Sequence, residues 1–223
     1  MDFGSFHVNE LMKQNETVID FADIGGVDSG VEDTADSILR TYRSKMCKAI
    51  ERVSEIALPE EGEQIRIVTK RSFSAIAFLQ YIIEQVGCVD EALICIYSIN
   101  YYASVVIDEM VNTGKIKQAT VLMSNLRNTA HRKKEELTKQ FFVNNPKIEL
   151  IFAQSHAKIM SLKAGNQYFT IEGSGNLTTS SRIEQYVIDN DKELFNFTKT
   201  WIEEIKTYLQ GKKELEIHPK LLI

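Results

Sequence analysis

The sequence predicts an α/β fold, a mixed, mostly parallel sheet flanked by helices on both faces. From residue 64 onward, apolar runs of strand length alternate with longer stretches of helical periodicity, the order that builds parallel strands joined by crossover helices. One of these runs, Ala92–Tyr97 (ALICIY), is apolar throughout, as in a strand covered on both faces. A third feature adds antiparallel pairing. Lys163-Ala164-Gly165-Asn166 sets turn-forming residues between two short extended runs, which makes a hairpin.

The elements follow in order. Residues 1–33 hold a short helix-like piece and then an Asp- and Gly-rich linker, Asp20–Asp33. Thr34–Leu58 is predicted helical, with Thr34 or Asp36 as cap and Ile38, Leu39, Tyr42, Met46, Ile50, Val53 and Ile56 as its apolar positions. That stripe suits either packing on the domain or a dimer contact. Pro59-Glu60-Glu61-Gly62 ends it. Strands are expected at Ile65–Val68, Ala92–Tyr97, Ala119–Met123 and Ile148–Ala153. Helices are expected at Ser72–Val86, Tyr101–Asn112 (closed by Gly114) and Ala130–Phe142, the last basic and ended by Asn144-Asn145-Pro146. The hairpin comes next, with its returning strand near Gln167–Ile171. A strand at Arg182–Asp189 follows, then a terminal helix, Asp191–Leu209, with Phe195, Trp201, Ile205 and Leu209 inward. The organisation is thus an acidic linker and helical extension (1–63), an α/β domain (64–210) and a tail (211–223).

Apolar residues make up 43% and charged residues 26%, ordinary values for a soluble globular chain. No apolar run approaches the ~20 residues that span a bilayer, and no secretory signal precedes the domain, so a cytoplasmic protein without membrane docking is expected. Cys47, Cys88 and Cys95 are an odd set, expected as reduced and mostly buried thiols. No His/Cys/Asp cluster has metal-ligand spacing, so no metal and no cofactor are expected. The net charge of -5 is unevenly spread: residues 1–63 carry 6 Lys/Arg against 14 Asp/Glu, and the remainder 20 against 17. The slightly basic part is compatible with a phosphate-rich partner.

The chemistry concentrates between Ser155 and Val187. His156-Ala157-Lys158 puts an imidazole and an ammonium two residues apart, on one face of an extended strand. Gly173-Ser174-Gly175-Asn176 ends the returning strand in a bend where glycines let backbone, hydroxyl and amide approach a ligand closely. Glu184 follows on the next strand. Imidazole, ammonium, hydroxyl and amide at one hairpin end form a set suited to phosphate. His-x-Lys alone is common, since His131-Arg132-Lys133 and His218-Pro219-Lys220 also fit it. Only His156 has a strand context and a following Gly-Ser-x-Asn. Ser98 and Asn100 also follow a strand and suit either lining the site or, the favoured reading, capping the next helix. Arg127, Arg132, Lys133, Lys134 and Lys139 form a basic cluster, expected as a solvated helix face or a nucleic-acid patch.

At these residues the chain resembles the phospholipase D superfamily, marked by His-x-Lys, a later Asp and then Gly-Ser-x-Asn (the HKD motif). The resemblance implies a phospholipase D-like fold and a metal-independent phosphodiester hydrolase working through a phosphohistidine. It gives His156 the role of nucleophile or acid and Lys158 that of phosphate-binding lysine. Ser174 and Asn176 become the polar residues of the glycine turn, and Glu184 the following acid. The motif's Asp falls at position 163, where this chain has Lys163. The interval to Gly173 is also about three residues longer than the short form of the pattern, as a longer hairpin would make it. With one usable motif and no internal repeat, the resemblance implies a homodimer. The short, single-motif Nuc-like branch implies nucleic acid, DNA or RNA, as substrate. The rival expectation is a module of the same fold that binds nucleic acid or a partner protein without turnover, with Lys163 as an added cation near the site. A third makes the acidic arm a nucleic-acid mimic over the site or a contact to a partner protein.

Overall fold

The computed structural model describes residues 44–70, 74–124, 140–178 and 182–214. Eight strands and three helices are defined in this part of the chain. The strands are β1 Ser44–Ile50, β2 Glu63–Thr69, β3 Glu91–Ile96, β4 Ala119–Ser124, β5 Ile148–Ala153, β6 Ile159–Ala164, β7 Gln167–Gly173 and β8 Gln185–Asn190. The helices are α1 Ile76–Val86, α2 Tyr101–Asn112 and α3 Lys192–Glu214, with a single 3-10 turn at Val53–Glu55.

All eight strands lie in one sheet, in the order β1-β2-β8-β7-β6-β3-β4-β5. β1 with β2, β3 with β4, and β4 with β5 are parallel. β6 and β8 run against the other six strands, so the pairings β2–β8, β8–β7, β7–β6 and β6–β3 are antiparallel. This is the mixed α/β sheet the sequence predicts. The hairpin and β8 sit in the middle of it rather than at an edge.

β3 explains why both faces are covered. Ala92, Ile94 and Ile96 point into a cluster with Ile76, Phe78, Leu79, Ile82 and Ile83 of α1 and Ala103, Val106, Ile107 and Val111 of α2. Leu93 and Cys95 point the other way, into a smaller cluster with Phe195 and Ile202 of α3. Burying each such large side chain contributes about 1.5–3 kcal/mol, which is why a strand apolar at every position belongs at the centre of two layers. Two pairs of polar side chains inside bond each other across neighbouring strands. Ser161 and Thr170, opposite each other in β6 and β7 and fully buried, share a 2.9 Å hydrogen bond. Gln64 donates to Asp189 at 2.8 Å. Cys88 and Cys95 are free thiols, and burial pushes the Cys95 thiol up to about 12.

One element differs in kind from the prediction. The long helix expected over Thr34–Leu58 is a strand at residues 44–50 and a 3-10 turn at 53–55. Residues 34–43 lie outside the described part, as do the linker and the acidic arm before them. Met46 and Ile50, four apart, satisfy a helical period, but the same residues also alternate as a strand does. Pairing decides the matter. β1 runs in register with β2 from Ser44↔Glu63 to Ile50↔Thr69, and Lys70 N–H closes the ladder on the Ile50 carbonyl at 2.8 Å. Tertiary pairing outweighs a propensity difference of a few tenths of a kcal/mol per residue. The sheet therefore takes in residues before position 64. At the other end, α3 continues to Glu214, past the expected stop at Leu209.

Candidate active site

Because six strands point one way and β6 and β8 the other, the ends of β3 and β7 and the beginnings of β6 and β8 share one edge of the sheet. These four strands are neighbours, about 4.8 Å apart. His156 and Lys158 precede β6, Ser174 and Asn176 follow β7, and Glu184 precedes β8. The five residues singled out in the sequence thus occupy three adjacent chain ends. The carboxyl edge of an α/β sheet is where ligands of such folds bind.

His156-Ala157-Lys158 lies in the connection from β5 to β6 rather than in a strand, which corrects the expected placement. The ladder reaches only the last of the three: Gly173 N–H donates to the Lys158 carbonyl at 3.3 Å. The two side chains still meet. Lys158 Nζ is 3.2 Å from His156 Nδ1 and donates to the His156 carbonyl at 3.0 Å. An ammonium has no lone pair, so Nδ1 accepts and the imidazole proton sits on Nε2. Tyr97, immediately after β3, supports both groups. Its ring lies 4.5 Å from the imidazole, centroid to centroid at 57°, and Lys158 Nζ stands 5.6 Å from its centroid. Burial pushes the Lys158 ammonium below its ordinary value, and the charge of Glu184 opposes that shift.

Glu184 is held from both sides. Its amide donates to Thr69 Oγ1 at 3.0 Å, and its carbonyl accepts from the Thr69 amide at 2.9 Å. Its carboxylate accepts a short hydrogen bond from Ser174 Oγ. The Gln185 amide donates to that same hydroxyl oxygen at 3.1 Å, so the Ser174 hydroxyl is fixed toward Glu184. Asn176 reaches the end of β3, where its Oδ1 accepts from the Ser98 amide at 3.1 Å. Leu177 N–H donates to the Ser98 carbonyl and Asn100 N–H to the Leu177 carbonyl, at 3.1 and 3.0 Å. Asn100 then caps α2 by accepting from the Ala103 amide at 2.9 Å, the capping role expected of it.

The two glycines of the bend are fixed by Tyr186, whose ring is buried against Phe78 at 4.7 Å. A Cβ on Gly173 would fall on that ring and 2.5 Å from the Gln185 carbonyl. A Cβ on Gly175 would fall on the Tyr186 hydroxyl. Only glycine lets the bend close over this ring.

Lys163 is not part of the group. It stands at the far end of β6, opposite Glu91, five residues or about 16 Å from Lys158. Contrary to the expectation, Lys163 adds no cation near the site. At that end Asp90 braces the hairpin: its amide donates to the Lys163 carbonyl at 2.7 Å, and its carboxylate accepts from the amide of Gly165 (φ 59°) at 2.8 Å. The basic cluster of Arg127, Arg132, Lys133, Lys134 and Lys139 lies outside the described residues, with His131 and His218. Tyr97, Thr69 and Tyr186 escaped the sequence reading. The one available signal was that an aromatic ends the ALICIY run. Among the described residues no group of three or more His, Cys, Asp or Glu could hold a metal ion. No described helix is long and apolar enough to cross a membrane.

No protein-family model matches the chain, and no curated protein matches it either. Solved structures similar to it include polyphosphate kinase from Porphyromonas gingivalis, at 12% identity and a TM-score of 0.48, covering 66% of this chain and 24% of that one. They also include TrmBL2, an archaeal chromatin protein whose structure is described as showing a novel mode of DNA binding, at 14% identity and a TM-score of 0.39. That match covers 64% of this chain and 52% of the other. The chain thus spans about a quarter of the first protein's length and about half of the second's.

Proposed function

We propose that the protein is a metal-independent phosphodiesterase of the phospholipase D type, acting on nucleic acid as a homodimer that joins two copies of His156. The observation that carries the reading is the meeting of His156 and Lys158, 3.2 Å apart, on the same sheet edge as the Ser174–Glu184 pair and Asn176.

In this scheme one His156 attacks phosphorus, an N–P bond forms and the P–O bond to the leaving group breaks. The leaving oxygen takes the Nε2 proton of the other His156, which enters as an imidazolium with Lys158 displaced from its Nδ1 and is left as a neutral imidazole. Water then attacks the phosphohistidine, loses its proton to that second imidazole, and the N–P bond breaks. The attacking copy needs a bare Nε2. Lys158 therefore leaves Nδ1 for a phosphoryl oxygen, and the imidazole proton moves to Nδ1. Asn176 and Lys158 hold the non-bridging oxygens, and Glu184 holds the Ser174 hydroxyl.

The test is hydrolysis of bis(p-nitrophenyl) phosphate and of labelled single- and double-stranded DNA in excess EDTA, with His156→Ala beside the wild type and the mass of each in solution. Turnover by the wild-type dimer alone is expected. Activity retained by a folded His156→Ala protein refutes the mechanism, and a silent wild-type dimer refutes the enzyme.

A further inference from the structure

The segment that leaves β3 runs directly past the candidate site. Tyr97 carries the His156 ring, Ser98 bonds Asn176 through its amide, and Asn100 bonds Leu177. The next two residues, Tyr101 and Tyr102, open α2 and are 61% and 57% exposed. The buried face of α2 is made by Ala103, Ser104, Val106, Ile107 and Val111, so neither tyrosine is needed for its packing. Both rings are nonetheless held. Tyr101 meets Phe141 edge to face, with centroids 5.3 Å apart at 77°, and the Tyr102 hydroxyl lies 3.5 Å from Gln80 of α1. Tyr101 comes three positions after Ser98, a span of at most ~11 Å. Two braced, open aromatic rings thus follow directly on the segment that meets Lys158 and Asn176, the cation and amide that suit a phosphate.

We infer that Tyr101 and Tyr102 form a stacking platform for unpaired bases of a single-stranded nucleic acid whose phosphate lies at Lys158 and Asn176. Aromatic rings stack on any base because every base has a π-face, and in a duplex those faces are already taken. The platform therefore selects single strands and tolerates any base sequence. The inference rests on the proposed phosphate site but not on turnover.

Binding is measured by fluorescence anisotropy with a labelled thymidine 12-mer and a duplex of the same length, in EDTA. All proteins carry His156→Asn to prevent cleavage. The parent should bind the single strand more tightly than the duplex. Tyr101→Ala with Tyr102→Ala should lower single-strand affinity at least tenfold, and the double Phe variant should restore it. Circular dichroism establishes that each variant is folded. Equal single-strand affinity with and without the tyrosines overturns the inference, as does a parent that prefers duplex or binds no single strand. Tyrosine-dependent binding without any hydrolysis by the wild type sinks the enzyme reading alone.

Discussion

Adding one methyl group at Gly173 tests whether the site is built around the buried ring of Tyr186. The new Cβ would meet that ring and the Gln185 carbonyl, the latter at 2.5 Å. Carbon contacts are comfortable only near 3.5–4.0 Å, so something must move by about 1 Å. The ring cannot easily yield, being 2% exposed and packed on Phe78. Nor can the carbonyl, which accepts the Ser174 amide at 3.0 Å. Overpacking of this kind costs about 1–3 kcal/mol. At this chain size each kcal/mol shifts Tm by about 2–4 °C, so Gly173→Ala should melt lower by roughly 2–12 °C, toward the upper end. Gly175→Ala meets the hydroxyl end of the same ring and should fall in the same range. Gly211, inside α3 with nothing within 4 Å of an added Cβ, is the control. Gly211→Ala should gain up to about 1 kcal/mol from helix propensity. Thermal unfolding followed by circular dichroism reads all three. A Gly173→Ala protein melting at or above wild type, or a Gly211→Ala protein falling as far, refutes the packing argument.

Other outcomes follow from the same geometry. Tyr97→Leu removes a ring contact worth about 0.5–1.5 kcal/mol, so kcat should drop about 2- to 10-fold with KM little changed. Tyr97→Phe should restore kcat. Lys163→Asp restores the motif's acid at the far edge of the sheet. It should leave activity within about twofold while lowering Tm, because the new carboxylate faces Asp90 and Glu91. Burial raises the Asp189 carboxyl above its ordinary 3.8, with Glu172 and Asp191 adding to the shift and Gln64 opposing it. The stability owed to its protonated form is complete below 3.8 and is lost as pH rises through the raised value. Asp189→Asn keeps the acceptor for Gln64, so its Tm should exceed wild type at pH 7 and converge with it near pH 3. A gap that widens in acid refutes the assignment.

Most of the fold was legible because burial on two faces writes itself into composition. β3 is a continuous apolar run after Glu91, and its boundaries, like those of β5, were found to within a residue. The hairpin was legible from Gly165-Asn166, since a positive φ at the turn calls for glycine. β1 was not, because SKMCKAI satisfies both periods and only its pairing with β2 separates them. In the site, His156, Lys158, Ser174, Asn176 and Glu184 announced themselves by type and spacing. Tyr97, Thr69 and Tyr186 did not. They act through contacts across 59, 115 and at most 13 residues of chain, made by strand order that no local pattern carries.

The central place of the hairpin has a consequence for how the chain assembles. β2 and β3 follow each other in sequence, yet β8, β7 and β6 stand between them. β3, β4 and β5 can pair as they are synthesised, but β2 has β1 as its only early neighbour until β8 arrives. Closing that gap joins residues more than 100 positions apart, as in Gln64↔Asp189. Contacts of such range are slow to form. The nascent protein therefore carries an open β2 edge until β8 is made, a window in which its unpaired strand groups invite aggregation.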